Sequence, residues 1–126
     1  ILPRLVGVVD AVTQDETGDF HLVELKSGAR RWSEDQLNTD IQLTCYSLAA
    51  PQVGLGDASL QVHLLLKTKK AAMEVYTPTR GEADRQEFLD VITGVMRAVR
   101  AHSFHPVRSW ACRGCSFLGE CNSCSK

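Results

Sequence analysis

Asp10, Glu24 and Lys26 are the residues whose types and spacing could do chemistry. Residues 5–12 (LVGVVDAV) are β-branched and apolar with one carboxylate near the end, and residues 20–26 (FHLVELK) form a second strand-like run. QDETG between them is turn material. A hairpin closing around Asp15–Asp19 pairs Gln14 with Phe20, Val12 with Leu22 and Asp10 with Glu24. The side-chain period of two then puts Glu24 and Lys26 on one face, with Asp10 across from Glu24. Two carboxylates facing each other in apolar strands repel and lose hydration. A divalent cation between them removes that cost, and an ammonium two residues on can act on whatever the cation binds. A one-residue slip would send Glu24 to the other face, and an E-x-K tripeptide can equally be an exposed ion pair on a strand edge.

The elements that must position this trio follow in order. Gly28-Ala29-Arg30-Arg31-Trp32 is a short basic loop leading out of the second strand. Ser33 starts a helix through a capping box, S-E-D-Q, whose acids suit the first turn. Leu37, Ile41, Thr44, Cys45 and Leu48 make its apolar stripe, with Asn38, Gln42 and Tyr46 as a polar ladder beside it, and Pro51 stops it near Ala50. Residues 59–67 and 72–77 read as a second hairpin. A long amphipathic helix runs from Glu82 to His102, burying Phe88, Ile92, Val95, Met96 and Val99. Gly94 within it suggests close packing.

The order D-x13-E-L-K resembles the PD-(D/E)xK nuclease superfamily. With Gln42-Leu43-Thr44-Cys45-Tyr46 on the next helix it is similar to the RecB-like branch, which carries Q-x-x-x-Y there. The resemblance implies an α/β fold with a restriction-endonuclease-like central mixed sheet flanked by helices, β-β-α-β-β-α. It also implies a Mg²⁺- or Mn²⁺-dependent deoxyribonuclease, commonly an exonuclease of DNA repair, recombination or CRISPR adaptation. In it Asp10, Glu24 and the Leu25 carbonyl hold the metal, Lys26 serves the attacking water, and Gln42 and Tyr46 steady the site. DNA with a single-stranded end and a larger polypeptide, helicase or CRISPR partner are the implied partners.

Cys112-x2-Cys115-x5-Cys121, with Cys124 adding a further C-x-x-C, crowds four cysteines into the last fifteen residues. In a cytoplasmic chain that reads as metal ligation rather than disulfides. The pattern resembles the iron–sulfur tail of the AddB-like and CRISPR-associated RecB-like nucleases, which implies a [4Fe-4S] cluster. In that family the fourth ligand lies upstream of the first acidic strand. Here either an upstream segment or Cys124 supplies it, and zinc is the alternative metal. Cys45, on the core stripe, is expected to be a small buried hydrophobe.

A chain of 126 residues with 44% apolar content supports one core, divided into a nuclease core over residues 1–109 and a cysteine-rich tail over 110–126. A net charge of −1 excludes a histone-like binder but leaves room for a local basic groove. No apolar run reaches membrane-spanning length, and a cytoplasmic location is expected. Ile1-Leu2-Pro3 reads as the interior of a longer polypeptide, and the resemblance implies a preceding helix bearing an acidic or histidine side chain. Histidines 21, 63, 102 and 105, and Trp32 and Trp110, are expected in packing or surface roles. The competing function is a non-catalytic nucleic-acid- or protein-binding module with a structural iron–sulfur or zinc site.

Overall fold

Asp15–Asp19 closes the first hairpin as its composition dictates. In a computed structural model that describes residues 4–123, Gly18 takes φ +94° and the Asp15 amide donates to the Asp19 carbonyl at 3.1 Å. β1 (Ala11–Gln14) and β2 (Phe20–Gly28) pair antiparallel, with Gln14 opposite Phe20 and Val12 opposite Leu22, the register expected from the sequence. The first strand is shorter than its apolar run. Residues 4–10 make no ladder and are largely exposed, although Val8 is tied inward through its carbonyl.

The connection from β2 to β3 (Ser59–Leu66) is long enough for a parallel crossover, and the two strands are parallel, with Glu24 opposite Val62 and Lys26 opposite Leu64. β4 (Ala72–Tyr76) returns antiparallel to β3, giving the mixed order β1-β2-β3-β4. The fold is thus the restriction-endonuclease-like α/β arrangement of a four-stranded mixed sheet with flanking helices.

The crossover corrects one expectation. Instead of one helix from Ser33 there are two, α1 (Glu34–Thr39) and α2 (Ile41–Gln52), because Asp40 is extended and caps the second through its side chain on the Leu43 amide at 3.0 Å. The Ser33 capping box is present at the first. Pro51 does not stop α2. It sits in the last turn, and the stop comes from Gly54 at φ +82°, with Leu55 N donating to Ala50 O and Gly54 N to Pro51 O, a Schellman closure. The break also resets the buried face. Leu43, Thr44, Tyr46, Ser47 and Ala50 point inward, while Ile41 is exposed and Cys45 only half-buried. Leu43, Tyr46 and Ala50 pack with Leu22, Leu60 and Val62 as the core. Burying each of the leucines and the valine contributes about 1.5–3 kcal/mol.

By internal packing the chain divides into two units, residues 1–93 and 94–126. α3 (Glu82–Arg100) begins in the first, where Phe88 is buried, and ends in the second. Val95 and Val99 are exposed, and a side chain at Gly94 would meet nothing, so that glycine marks no close packing. The second unit holds a short 3₁₀ turn (Trp110–Gly114) and α4 (Leu118–Ser123). Cys124 lies outside the described residues. No helix among those described is long and apolar enough to cross a membrane.

Candidate functional site

Glu24 is a carboxylate in the middle of a central strand, only 4% exposed, on the face that α2 covers. Burying an ionised group is costly unless charge and hydrogen bonds surround it. Two side chains, Lys26 and Tyr46, do so directly, and Gln42 links them. Lys26 Nζ donates to Glu24 Oε1 at 2.5 Å and to Gln42 Oε1 at 3.0 Å. Gln42 Nε2 donates to the Tyr46 hydroxyl at 2.6 Å, one turn along α2. The single hydroxyl proton of Tyr46 is shared between the Val8 carbonyl at 2.6 Å and Glu24 Oε2 at 3.0 Å. No buried side-chain nitrogen or oxygen among the described residues lacks a partner.

Asp10 approaches the same strand from just before the start of β1, and its Oδ2 accepts from the Leu25 amide at 2.8 Å. The bond fixes this carboxylate beside the peptide that joins Glu24 to Leu25. Asp10 is exposed whereas Glu24 is enclosed, so of the two carboxylates it is Asp10 that faces water. Tyr46 feels both charges. Burial first, then Glu24 and Asp10, push its phenol up to about 12, so it stays a neutral hydroxyl.

Of the residues singled out by sequence, Glu24, Lys26, Gln42 and Tyr46 form one connected network, and Asp10 adjoins it through Leu25. Tyr46 is not beside the apolar stripe as expected but within the core, 3% exposed. Asn38, the third rung of the expected ladder, is cut off on α1 and exposed. Carboxylates are oxygen donors, which suit a hard divalent cation better than a soft one.

The tail differs. Cys112 is half-buried, its thiol accepting from the Ser109 amide at 3.3 Å and lying 3.9 Å from the Val107 carbonyl. It therefore serves as a local cap of the 3₁₀ turn. Cys115 is exposed and Cys121 half-buried on α4. Among the described residues no three His, Cys, Asp or Glu side chains gather to hold a metal, so the expected thiolate site is not assembled there. Trp110 is 87% exposed and Trp32 packs against the core. Cys45 lines an apolar groove of about 700 Å³ with Phe88 and Ile92, and burial pushes its thiol up.

Sequence reasoning missed Arg80. Buried at the entry to α3, its guanidinium donates to Thr44 Oγ1 at 2.7 Å, Leu37 O at 2.6 Å and Asp40 O at 3.1 Å, stapling α1 to α2. A single arginine in a turn carries no motif, although Asn38-Thr39-Asp40, poor helix formers ahead of Ile41, signal the junction it holds. His21, expected in a packing or surface role, lies 3.2 Å from Asp15 Oδ2 and 2.5 Å from Ser59 Oγ, tying the first turn to the start of β3.

Sheet, crossover helices and an acid–acid–lysine strand pair define the chain as a restriction-endonuclease-like α/β protein. The sequence matches the PD-(D/E)XK nuclease superfamily over residues 3–122, and the chain belongs to that superfamily. Its members are nucleases that use divalent metals such as Mg²⁺ or Mn²⁺ and act on nucleic acid. No curated protein matches the chain significantly. Among solved structures it is similar to the crystal structure of SSO0001, with a TM-score of 0.52 and 16% identity, a likeness of fold. That match covers 91% of this chain and 50% of the other, so the chain spans half the length of the structure it matches.

Proposed function

We propose that this chain is the catalytic core of a Mg²⁺- or Mn²⁺-dependent deoxyribonuclease, an exonuclease of the RecB-like branch working in DNA repair, recombination or CRISPR adaptation in the cytoplasm. The observation that carries the reading is the Lys26 ammonium, held at once by Glu24 from its own strand and by Gln42 from α2. The Q-x-x-x-Y helix thereby meets the E-L-K strand at one atom.

Asp10, Glu24 and the Leu25 carbonyl would hold the cation. When bound, it polarises the phosphate and lowers the pKa of a bound water. Lys26 has three N–H donors and two are engaged, which leaves one for a phosphoryl oxygen or the attacking water. Its side chain is 29% exposed, so this donor can meet substrate while the Glu24 side of the bond stays dry. There the ammonium offsets negative charge that grows in the transition state. Gln42 and Tyr46 keep it from swinging away, and the neutral Tyr46 hydroxyl adds no further charge. A DNA strand with a free single-stranded end and a larger polypeptide, helicase or CRISPR partner complete the proposal.

In the tail, the C-x2-C-x5-C spacing supports a thiolate site for a [4Fe-4S] cluster or zinc through Cys112, Cys115 and Cys121, completed by Cys124 or an upstream cysteine. The described geometry adds nothing to that spacing. The metal site on the strands is tested by titrating the chain with Mn²⁺ in a calorimeter. One ion per chain is expected, with affinity falling at least about tenfold in Asp10→Ala. Equal uptake by both proteins would overturn the ligand assignment.

A further inference from the structure

A chain whose net charge is −1 nevertheless carries a concentrated block of cations. Residues 26–31 (KSGARR) hold three bases and no acid, and residues 67–71 (KTKKA) hold three more and no acid, so six of the fourteen Lys and Arg residues fall in two short segments. The parallel pairing of β2 with β3 brings those segments together. Gly28 is opposite Leu66 at the carboxyl ends of both strands, and Lys67 N donates to Gly28 O at 2.8 Å. The turn beyond is closed by Thr68 Oγ1 on Lys70 O at 2.6 Å, which leaves Lys69 and Lys70 exposed.

Arg31 is the one member of the block outside the site that is neutralised, by Glu74 at 2.6 Å. The side chains of Arg30, Lys67, Lys69 and Lys70 make no ion pair or hydrogen bond among the described residues. Unpaired cations on two adjoining segments repel one another, which costs free energy in the absence of an anionic partner. At about 3.3 Å per residue, Gly28 lies about 7 Å along the strand from Lys26. The block therefore begins within about two nucleotide spacings of the candidate site.

We propose that Arg30, Lys67, Lys69 and Lys70 form a phosphate-binding ridge that holds a single DNA strand as it leads away from Lys26 past the carboxyl ends of β2 and β3. The inference rests on the nuclease reading and adds to it the path of the substrate. Flexible lysines meet phosphates as point charges and read no base edges, so the contact is independent of sequence. The ridge sets how tightly a strand is held and takes no part in the bond-breaking step.

The test is Lys69→Gln with Lys70→Gln, two exposed turn positions, with Lys69→Arg/Lys70→Arg as the charge-retaining control and thermal melting as the check on folding. Binding of a long fluorescent single-stranded oligonucleotide is measured across a salt series in EDTA. The slope of log affinity against log salt should shrink by about 1.4 in the glutamine variant and be restored by arginine, at about 0.7 per phosphate contact on a single strand. In Mn²⁺, KM for that strand should rise with kcat unchanged, while hydrolysis of bis(p-nitrophenyl) phosphate, too short to reach the ridge, should not change. An unchanged salt slope would overturn the ridge, as would poly-glutamate competing as well as the oligonucleotide. A reduced slope in a protein that hydrolyses neither substrate would keep the ridge and remove the nuclease reading; hydrolysis of both with an unchanged slope would do the reverse.

Discussion

Glu24 and Cys112 are both side chains that a motif singles out, and the protein treats them oppositely. Glu24 is enclosed, and besides Lys26 on its own strand it is held from another element: Tyr46 is 22 residues away, and the same hydroxyl reaches Val8 across 38 residues. Among the described residues the Cys112 thiol has its hydrogen-bond contacts with Ser109 and Val107, three and five residues back. A group held by long-range contacts is fixed by the packing of the whole core, so its geometry exists before any ligand arrives. A group held by its own turn can be redirected without disturbing a core. The strand site is thus preorganised, and the cysteines of the tail would have to be gathered by whatever they bind.

That contrast breaks most readily at the core beneath the network. Leu43, fully buried against β2 and β3, should cost about 2–5 kcal/mol on truncation to Ala, read as a lowered denaturant midpoint. A loss below about 1 kcal/mol would show the helix to be loosely seated and the site less fixed than its contacts suggest. Arg80→Ala should come next, at about 3 kcal/mol. It removes charged hydrogen bonds to Leu37, Asp40 and Thr44 and frees α1 from α2. Hydrogen exchange at residues 34–44 should quicken more than at β3.

Tyr46→Phe should cost about 1–3 kcal/mol, because it strands the Gln42 amide and the Val8 carbonyl while keeping the ring in the core. Turnover should fall as well, since Gln42 then loses one of the two bonds that let it hold Lys26. The same variant has a pH signature. The phenol is raised from 10 to about 12, so its contribution is complete below pH 10 and is lost as pH rises through 12. The wild-type protein should therefore lose stability between pH 10 and 12 more steeply than Tyr46→Phe, and parallel curves would contradict the buried-phenol account. The smallest effect belongs to the tail. In metal-free protein Cys112→Ser should change stability by less than about 0.5 kcal/mol, whereas bound iron or zinc would make the same change large.

The sequence made the strand site legible because period-two alternation and a short turn leave little freedom: once Gln14 faces Phe20, Asp10 must come beside the Glu24–Leu25 peptide. Q-x-x-x-Y was legible as a helical i, i+4 pair, but not as part of the core. Reading α1 and α2 as one helix carried the apolar stripe through Asp40, and the extended backbone there resets the face. Pro51 drew attention from Gly54 because proline is the louder signal, yet a left-handed residue is what the Schellman closure requires. Arg80 was invisible, since its partners are backbone carbonyls that any sequence supplies. The cysteine pattern was the plainest motif in the chain, yet among the described residues it gathers no metal-binding cluster, because spacing within a short tail constrains local turns.

The most direct test of the central claim, that Asp10, Glu24 and Lys26 form one metal-dependent hydrolytic site, is cleavage of an end-labelled single-stranded DNA in Mn²⁺. Wild-type protein is compared with Asp10→Ala and Lys26→Ala, each shown to be folded. Wild-type cleavage that stops in EDTA and falls by about 10²–10³-fold or more in both variants is the predicted result. Cleavage that survives either substitution, or excess EDTA, would contradict it.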